Sequence, residues 1–154
     1  MEDLFDAYRT IYAIVSSRDE KFIAVGDNFG RTRYENKPIS SRFTDFITDK
    51  FSVLSTDNWE KCSVYQTSLK CIYQMISFES DGLVASGTNG IEFLRLLPEG
   101  KIELIKKICN DDMNTSVIAN KKLYSGGAKG KLLVHDLSGS LLCEVEPHSE
   151  AIQW

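Results

Sequence analysis

Short apolar runs alternate with polar turns along most of this chain, and the pattern predicts β-strands. Three of the runs end in a similar phrase, in which small residues are followed by glycines, at residues 24–30, 85–90 and 125–130. Apolar runs of this length, bounded by glycine and other turn residues, are typical of strands. The phrase therefore marks the same place in three repeated units.

The spacing of the phrases indicates a repeat architecture. Their closing glycines, Gly30, Gly90 and Gly130, lie 60 and 40 residues apart. A period of ~40–45 residues made of short strands is typical of propeller blades, each of which is a four-stranded sheet. The longer first interval then holds one period and an insertion of roughly 20 residues.

Each unit is predicted to contain strands on both sides of its phrase. The candidates before the phrases are residues 11–15, 71–76 and 115–118, and those after them are 31–35, 91–97, 101–108, 131–137 and 140–145. We expect tight turns at Asp27-Asn28, Thr88-Asn89 and Ala128-Lys129, because the neighbouring glycines reach positive φ without strain.

The domain organisation that follows is a single, all-β, incomplete propeller domain over residues 1–154. We predict a partial WD-repeat β-propeller of about three four-stranded antiparallel blades in an open arc. The predicted boundaries are about 10–36 for blade 1, 37–70 for an insertion, 71–108 for blade 2, 113–146 for blade 3 and 150–154 for the start of blade 4. An open arc leaves two apolar sheet faces uncovered, so we expect further blades, a second copy or a partner to cover them.

Two segments depart from the repeat. Apolar residues at helical spacing predict a short N-terminal amphipathic helix, which packs on the first blade or docks a partner: Leu4, Phe5, Tyr8, Ile11 and Tyr12. The predicted insertion is too apolar for a free linker, and it contains Trp59 between polar neighbours. Because insertions in repeats often form the binding face, partner contact is one interpretation of this segment and a packed aromatic cluster is the other.

Composition and charge exclude several classes of protein. The chain has 154 residues, is 42% hydrophobic and carries a net charge of −4, which argues against disorder and against direct nucleic-acid binding. No apolar run approaches the ~20 residues of a membrane span, and the acidic start Met1-Glu2-Asp3 does not predict a secretory signal. Four cysteines without C-x-x-C spacing predict free thiols in an intracellular, reducing compartment: Cys62, Cys71, Cys109 and Cys143.

Catalytic chemistry is missing from the sequence. It has no G-x-S-x-G, H-E-x-x-H or P-loop motif, so we predict no enzyme, no catalytic, cofactor-binding or metal-binding residues and no cofactor. The two histidines fall at repeat positions instead. His135-Asp136 stands where a WD repeat carries Trp-Asp, and Pro147-His148 where the next unit would carry Gly-His. The other interpretation is that both histidines are ordinary surface or hydrogen-bonding residues.

A family resemblance covers nearly the whole chain. Residues 10–12 and 21–30 resemble the first blade of the THO complex subunit 6 family of WD-repeat proteins, residues 72–77 its second blade, 123–127 its third, and 148–152 the entry to its fourth. This chain is similar to about the N-terminal half of a member. That family also has a short helical lead-in and an insertion between its first two blades.

The resemblance implies a function that the residues alone do not. It implies a nuclear, non-enzymatic scaffold in the THO/TREX assembly, acting in mRNP assembly, mRNA processing and mRNA export, with other THO subunits as its partners. The alternative is another WD-repeat adaptor for protein complexes, for example in ubiquitin ligation or trafficking, because the loops of a repeat fold set its partners.

Overall fold

The computed structural model describes residues 8–30, 50–69 and 71–147. They form three antiparallel four-stranded sheets, each with its strands in chain order. The first sheet contains β1 (Tyr8–Ser16), β2 (Phe22–Gly30), β3 (Lys50–Ser55) and β4 (Lys61–Gln66). The second contains β5 (Ile72–Phe78), β6 (Gly82–Gly87), β7 (Gly90–Leu96) and β8 (Ile102–Ile108). The third contains β9 (Met113–Ala119), β10 (Lys122–Gly127), β11 (Leu132–Asp136) and β12 (Leu141–Val145).

The predicted N-terminal helix is wrong where the structure describes it. Residues 8–12 belong to β1, which pairs with β2 from Tyr8 opposite Gly30 to Ser16 opposite Ile23. A bulge between Ile11 and Ala13 interrupts this pairing. Because a bulge adds one residue, it breaks the period-two pattern of a strand, and the apolar spacing then resembles that of a helix. Residues 1–7, which carry the rest of the predicted helix, lie outside the described residues.

The first sheet also differs from the predicted first blade. Its third and fourth strands, β3 and β4, lie within residues 37–70, which were predicted as an insertion between blades. Strand β2 continues through Asp27-Asn28 to Gly30, where a tight turn was expected. The predicted third strand at 31–35 lies outside the described residues. The alternation of buried Phe51, half-buried Ser52 and buried Val53 explains why β3 forms in this segment.

The turns of the second and third phrases are confirmed. Gly87 pairs with Gly90 across Thr88-Asn89, and Asn89 and Gly90 have φ of 73° and 132°. A Cβ on Gly90 would lie 2.5 Å from the carbonyl oxygen of Cys109, so this position requires glycine. In the third phrase Gly130 has φ of 72°.

The three sheets stack through their first strands, with β5 lying against β1 on one side and β9 on the other. The contact between the first and second sheets, here the first interface, buries one apolar cluster: Ala13, Ala24, Phe51, Val53, Leu69, Ile72, Met75, Leu83, Ala85, Leu94 and Leu96. The contact between the second and third sheets, the second interface, buries another: Phe78, Val84, Ile91, Phe93, Ile108, Met113, Leu123 and Leu133. This arrangement confirms the predicted all-β fold with about three four-stranded blades in an open arc.

Candidate interaction surfaces

A buried carboxylate closes the outer part of the first interface. Glu92 on β7 is 1% exposed and accepts hydrogen bonds from the hydroxyl of Thr67 (2.8 Å) and from the backbone nitrogen (2.9 Å) and hydroxyl (2.6 Å) of Ser68. The Tyr65 hydroxyl donates a longer bond of 3.4 Å. Burial and the nearby Glu92 carboxylate raise the pKa of Tyr65 well above its usual range. Every partner lies on β4 or on the segment between β4 and β5, so the carboxylate ties the two sheets together.

Two leucines complete this closure. Leu69, in the segment between β4 and β5, is fully buried, and Leu94 on β7 is almost fully buried. Both belong to the apolar cluster of the first interface. The backbone nitrogen of Leu69 donates to the Thr67 hydroxyl (3.0 Å), which positions the leucine beside the carboxylate network. These side chains therefore occupy the outer part of the first interface, and the polar groups of the carboxylate network are paired.

The inner part of the second interface is joined by buried hydroxyls. Ser86 on β6 and Ser116 on β9 have hydroxyl oxygens 2.7 Å apart, and the Ser116 hydroxyl donates to Ser125 on β10 at 3.0 Å. The Gln74 side-chain oxygen accepts a bond of 2.5 Å from the backbone nitrogen of Ser116. Small hydroxyl side chains allow the two sheets to approach closely while each buried polar group keeps a partner.

Strand registers show which residues of the two interfaces correspond. In the second sheet Leu83 pairs with Leu94, and Ala85 pairs with Glu92. In the third sheet Leu123 pairs with His135, and Ser125 pairs with Leu133. Leu123 and Ser125 stand in the third sheet where Leu83 and Ala85 stand in the second sheet. Their strand partners therefore correspond as well, so that His135 occupies the position of Leu94 and Leu133 occupies the position of Glu92.

The connecting segments correspond in the same way. The Cys71 carbonyl accepts a hydrogen bond from the Thr88 backbone nitrogen, and the Asp112 carbonyl accepts the equivalent bond from Ala128. Cys71 and Asp112 therefore correspond, and the residues two positions before them, Leu69 and Asn110, correspond as well. The second interface thus lacks the carboxylate network and both leucines.

An open cleft occupies the outer part of the second interface. Its volume is about 470 Å³, and its walls come from β8, the segment between β8 and β9, β11, the turn that follows β11, and β12: Ile108, Cys109, Asn110, Asp111, Leu133, His135, Gly139, Leu141 and Glu144. The His135 side chain contributes a wall although the residue is only 3% exposed. Its Nδ1 atom is buried without a hydrogen-bond partner. We call this space the second-interface cleft.

Two ion pairs lie at the second-interface cleft, and the Lys106 side chain packs beside Gly139 near His135. The Asp111 carboxylate accepts a hydrogen bond from Lys129 (3.3 Å), and the Glu144 carboxylate forms an ion pair with Lys131 (2.7 Å). Burial lowers the pKa of His135, with a smaller opposing effect from Asp136. Burial also raises the pKa of the Cys109 thiol. At neutral pH the imidazole and the thiol are therefore uncharged.

Because the pKa of His135 is lowered, we expect the free energy of unfolding to depend on pH. Below pH ~6.5 the histidine of the unfolded chain takes up a proton while folded His135 stays neutral. Stability is thus fully present above this pH and falls as the pH drops toward the folded pKa, by at most about 1.4 kcal/mol per pH unit. In His135→Leu this loss disappears, and removal of the unpaired nitrogen stabilises the fold by about 1–2 kcal/mol at pH 7.5.

Urea unfolding of the two proteins from pH 7.5 to 5.5 measures this effect. The difference in their free energies of unfolding should grow as the pH falls, because only the wild-type protein contains the buried His135 imidazole. A difference that stays constant over this range would contradict the buried, neutral state of His135.

Each of the two end sheets has an apolar face that no other sheet of residues 8–30, 50–69 and 71–147 covers. In the first sheet Ile14 and Val64 share the face that is opposite to Phe51, and they are 62% and 52% exposed. In the third sheet Val117, Tyr124, Val134 and Cys143 lie opposite one another across the four strands, and Val117 is 55% exposed. The corresponding face of the second sheet, which includes Val84 and Phe93, is buried against the third sheet. The outer face of the third sheet is thus apolar like the corresponding buried face of the second sheet, and no sheet of the described residues covers it.

Trp59 is the most exposed large apolar side chain in the described part of the chain, at 66%. It lies in the turn between β3 and β4 with φ of 62°. The Asn58 side chain accepts from the backbone nitrogen of Glu60 and donates to its carboxylate, so polar groups hold the turn that presents the indole. Partner contact by this segment stays a prediction.

The residues singled out in the sequence have different positions. Asp136 at the end of β11 holds the next turn, accepting from the Ser138 hydroxyl (2.6 Å) and the Ser140 backbone nitrogen (2.9 Å), and these bonds lower its pKa. His148 lies outside the described residues. All four cysteines are described and none forms a disulfide, as predicted, and Cys62 and Cys143 are exposed.

Sequence reasoning identified His135 but not the cleft around it. Asn110 and Leu133 carry no motif, and their position emerges only when the strand registers of two sheets are compared. Within the described ranges no group of three or more His, Cys, Asp or Glu residues is arranged to hold a metal ion. Nor do those ranges include a helix with the length and apolar character that crossing a membrane requires.

The structure is similar to solved structures at low sequence identity. It matches the β-propeller domain of Cps50 (Swd1) from Myceliophteria thermophila with a TM-score of 0.70 and 12% identity, covering 93% of this chain and 45% of that chain. It also matches two computationally designed proteins: Ika8, with a TM-score of 0.65, 12% identity and 94% and 39% of the two chains, and Ika4, with 0.67, 14%, 94% and 77%.

The chain therefore spans less than half the length of the Cps50 domain it matches. No family model and no curated protein matches the sequence. Because identities this low show only the fold, these comparisons support one conclusion, which the three stacked sheets reach independently. This chain has the fold of part of a β-propeller.

Proposed function

We propose that this protein is a non-enzymatic WD-repeat scaffold that acts in the THO/TREX assembly, in mRNP assembly and nuclear mRNA export. The observation that carries the proposal is the three-sheet propeller arc, in which the first sheet contains the phrase at residues 21–30 that resembles the THO complex subunit 6 family. Propellers of this type commonly mediate protein–protein contacts, since their loops and faces vary while the sheets stay constant. The net charge of −4 favours protein partners over nucleic acid.

Several surfaces support a role in assembly. The uncovered faces of the first and third sheets and the exposed Trp59 are apolar, and contiguous exposed apolar patches mark sites of association. The proposed location is the nucleus, where the THO/TREX assembly acts.

Affinity purification of the tagged, natural full-length protein at its native expression level tests this function. We expect THO subunits in stoichiometric amounts, and nuclear fluorescence of a tagged protein. A different stable complex without THO subunits, such as a ubiquitin ligase or a trafficking coat, would instead favour the alternative adaptor function.

A further inference from the structure

We propose that two copies of this chain close a ring of six sheets, in which the third sheet of each copy packs on the first sheet of the other. The contact surfaces are the two faces that no sheet of the described residues covers, here called the end faces. The inference goes beyond the proposed function and does not depend on the THO/TREX assignment.

The two end faces are of opposite kinds, as the two partners in each interior contact are. The second sheet packs on the first sheet through its leading face, which includes Leu83 and Leu94. It packs on the third sheet through its trailing face, which includes Val84 and Phe93. Each interface thus joins a trailing face to the leading face of the next sheet. The end face of the first sheet is a leading face and that of the third sheet is a trailing face, so together they are the two halves of one further interface.

The leading face of the first sheet has the apolar residues of an interior face. In the second sheet this face buries four residues in the first interface: Met75, Leu83, Ala85 and Leu94. The strand pairings place four residues of the first sheet at the same positions: Ile14, Ile23, Val25 and Leu54. Ile14 is 62% exposed and the other three are half-buried. Because a sheet face in water usually carries polar residues, this pattern indicates a face that another sheet covers.

The trailing face of the third sheet shows the same agreement. In the second sheet this face buries four residues in the second interface: Val84, Ile91, Phe93 and Ile108. The strand pairings place four residues of the third sheet at the same positions: Tyr124, Leu132, Val134 and Val145. Val145 is 42% exposed, and Val117, which pairs with Tyr124 on the same face, is 55% exposed. Both end faces thus present large apolar side chains at positions that the middle sheet buries.

The combined area of the end faces is enough for a stable dimer. Four strands about 4.8 Å apart, each of about six residues with a rise of about 3.3 Å, make a face of about 400 Å². A closed ring of two copies covers four such faces, about 1,600 Å² in total, which is the standard size of a stable interface. A contact between one pair of faces covers only about half of this area, so closure of the ring is favoured over a single contact.

The number of copies follows from the number of sheets in each copy. Closed propellers typically contain about four to eight sheets. One copy contributes three described sheets, which is too few for closure, and three copies would bring nine. Two copies contribute six, which lies within the range. Closure also leaves no end face free, whereas head-to-tail contacts that do not close produce open chains.

Light scattering coupled to size-exclusion chromatography of the 154-residue chain tests the ring. We expect a single species with twice the 17.4 kDa mass of one copy at micromolar concentration. Two variants each put a charge on one end face: Ile14→Lys on the first sheet and Val117→Glu on the third. Each charge is present in both contacts of the ring, so either variant should weaken the dimer by about 100-fold or more and give the mass of one copy.

Mixing the two variants distinguishes a ring from other dimers. In a mixed ring one contact has the wild-type residue on both sides, and the other places the two introduced charges, which have opposite signs, on facing inner strands. Equal amounts of Ile14→Lys and Val117→Glu should therefore recover the mass of two copies, although neither variant does so alone. Ile105→Glu is the matched control and should keep the wild-type mass, because Ile105 is 49% exposed on β8 of the middle sheet, away from both end faces.

Milder substitutions keep the test decisive if a charged variant fails to fold, which far-UV circular dichroism detects. Ile14→Thr and Val117→Thr keep the β-branched shape and should each weaken the dimer about tenfold. Any of four results would overturn the proposal: a wild-type mass of one copy, a broad distribution of larger masses, a dimer that folded end-face variants leave unchanged, or folded charged variants that do not recover the dimer on mixing.

Failure of this inference and failure of the proposed function give different results. A single-copy mass alongside recovered THO subunits rejects the ring alone. A two-copy mass without those subunits rejects the THO/TREX assignment and leaves the ring in place.

Discussion

Phe51→Ala is expected to lower the free energy of unfolding by about 3–5 kcal/mol, the usual cost of truncating a fully buried phenylalanine. Phe51 lies on β3, is completely buried in the first interface and packs against the Tyr65 ring with centroids 4.9 Å apart. The alanine variant would leave a cavity at the contact of two sheets, where neighbouring strands cannot collapse to fill it. Chemical denaturation measures the effect.

The prediction discriminates between two assignments of residues 50–66. If this segment were an insertion between blades, truncation of Phe51 would cost little. Val64→Ala is the matched control, because Val64 lies on β4 of the same sheet with its side chain on the uncovered face. We expect the control to change stability by less than about 1 kcal/mol. Equal effects of the two substitutions would reject the assignment of β3 to the first sheet's core.

Glu92→Ala is expected to be destabilising by about 3–5 kcal/mol. The substitution removes the acceptor of three short hydrogen bonds to a carboxylate and leaves the buried Thr67 hydroxyl without an acceptor for its hydrogen. Each buried polar group that loses its partner costs about 1–3 kcal/mol. Urea denaturation at pH 7.5 measures the loss.

Two further variants distinguish the loss of the hydrogen-bond network from the loss of a carboxylate charge. Glu103→Ala removes an exposed carboxylate on β8 of the same sheet and should change stability by less than about 0.5 kcal/mol. Thr67→Val removes one donor while keeping the shape, and we expect a cost of about 1 kcal/mol. If Glu92→Ala were no more destabilising than Glu103→Ala, the carboxylate would not join the first two sheets.

The second and third sheets were predictable because their strands and turns are close together in sequence. The two-residue turn at Thr88-Asn89 and the positive φ of Gly130 follow from the glycine phrase. Short connections let period-two patterning and turn residues specify each neighbouring strand. In the first sheet the next strand begins at Lys50, far from the end of β2 at Gly30, so no local signal joins them. The polar composition of β4 weakened the signal further, since four of its six residues are exposed.

The cleft was less predictable than the fold. The repeat spacing predicted that His135-Asp136 stands where a WD repeat carries Trp-Asp. The burial of His135 and its unpaired nitrogen depend on the side chains of the neighbouring sheet. Asn110 and Leu133 are ordinary residues in sequence terms. Only the comparison with Leu69 and Glu92 at the first interface shows that they leave space. Packing between sheets joins residues that are far apart in the chain, so local sequence patterns do not predict it.

The central claim is that successive four-stranded sheets pack face to face through their inner strands, and a cysteine pair tests it most directly. Ser86 and Ser116 belong to different sheets, and their hydroxyl oxygens are 2.7 Å apart. In the Ser86→Cys, Ser116→Cys double variant, mild oxidation should therefore produce a disulfide within one molecule, because the two side chains meet across the second interface. Peptide mapping by mass spectrometry should identify this linkage, whereas a Val64→Cys, Val117→Cys pair on the two end faces should stay unlinked within one molecule. Absence of the linkage between positions 86 and 116, with both thiols recovered free, would contradict the stacked-sheet arrangement.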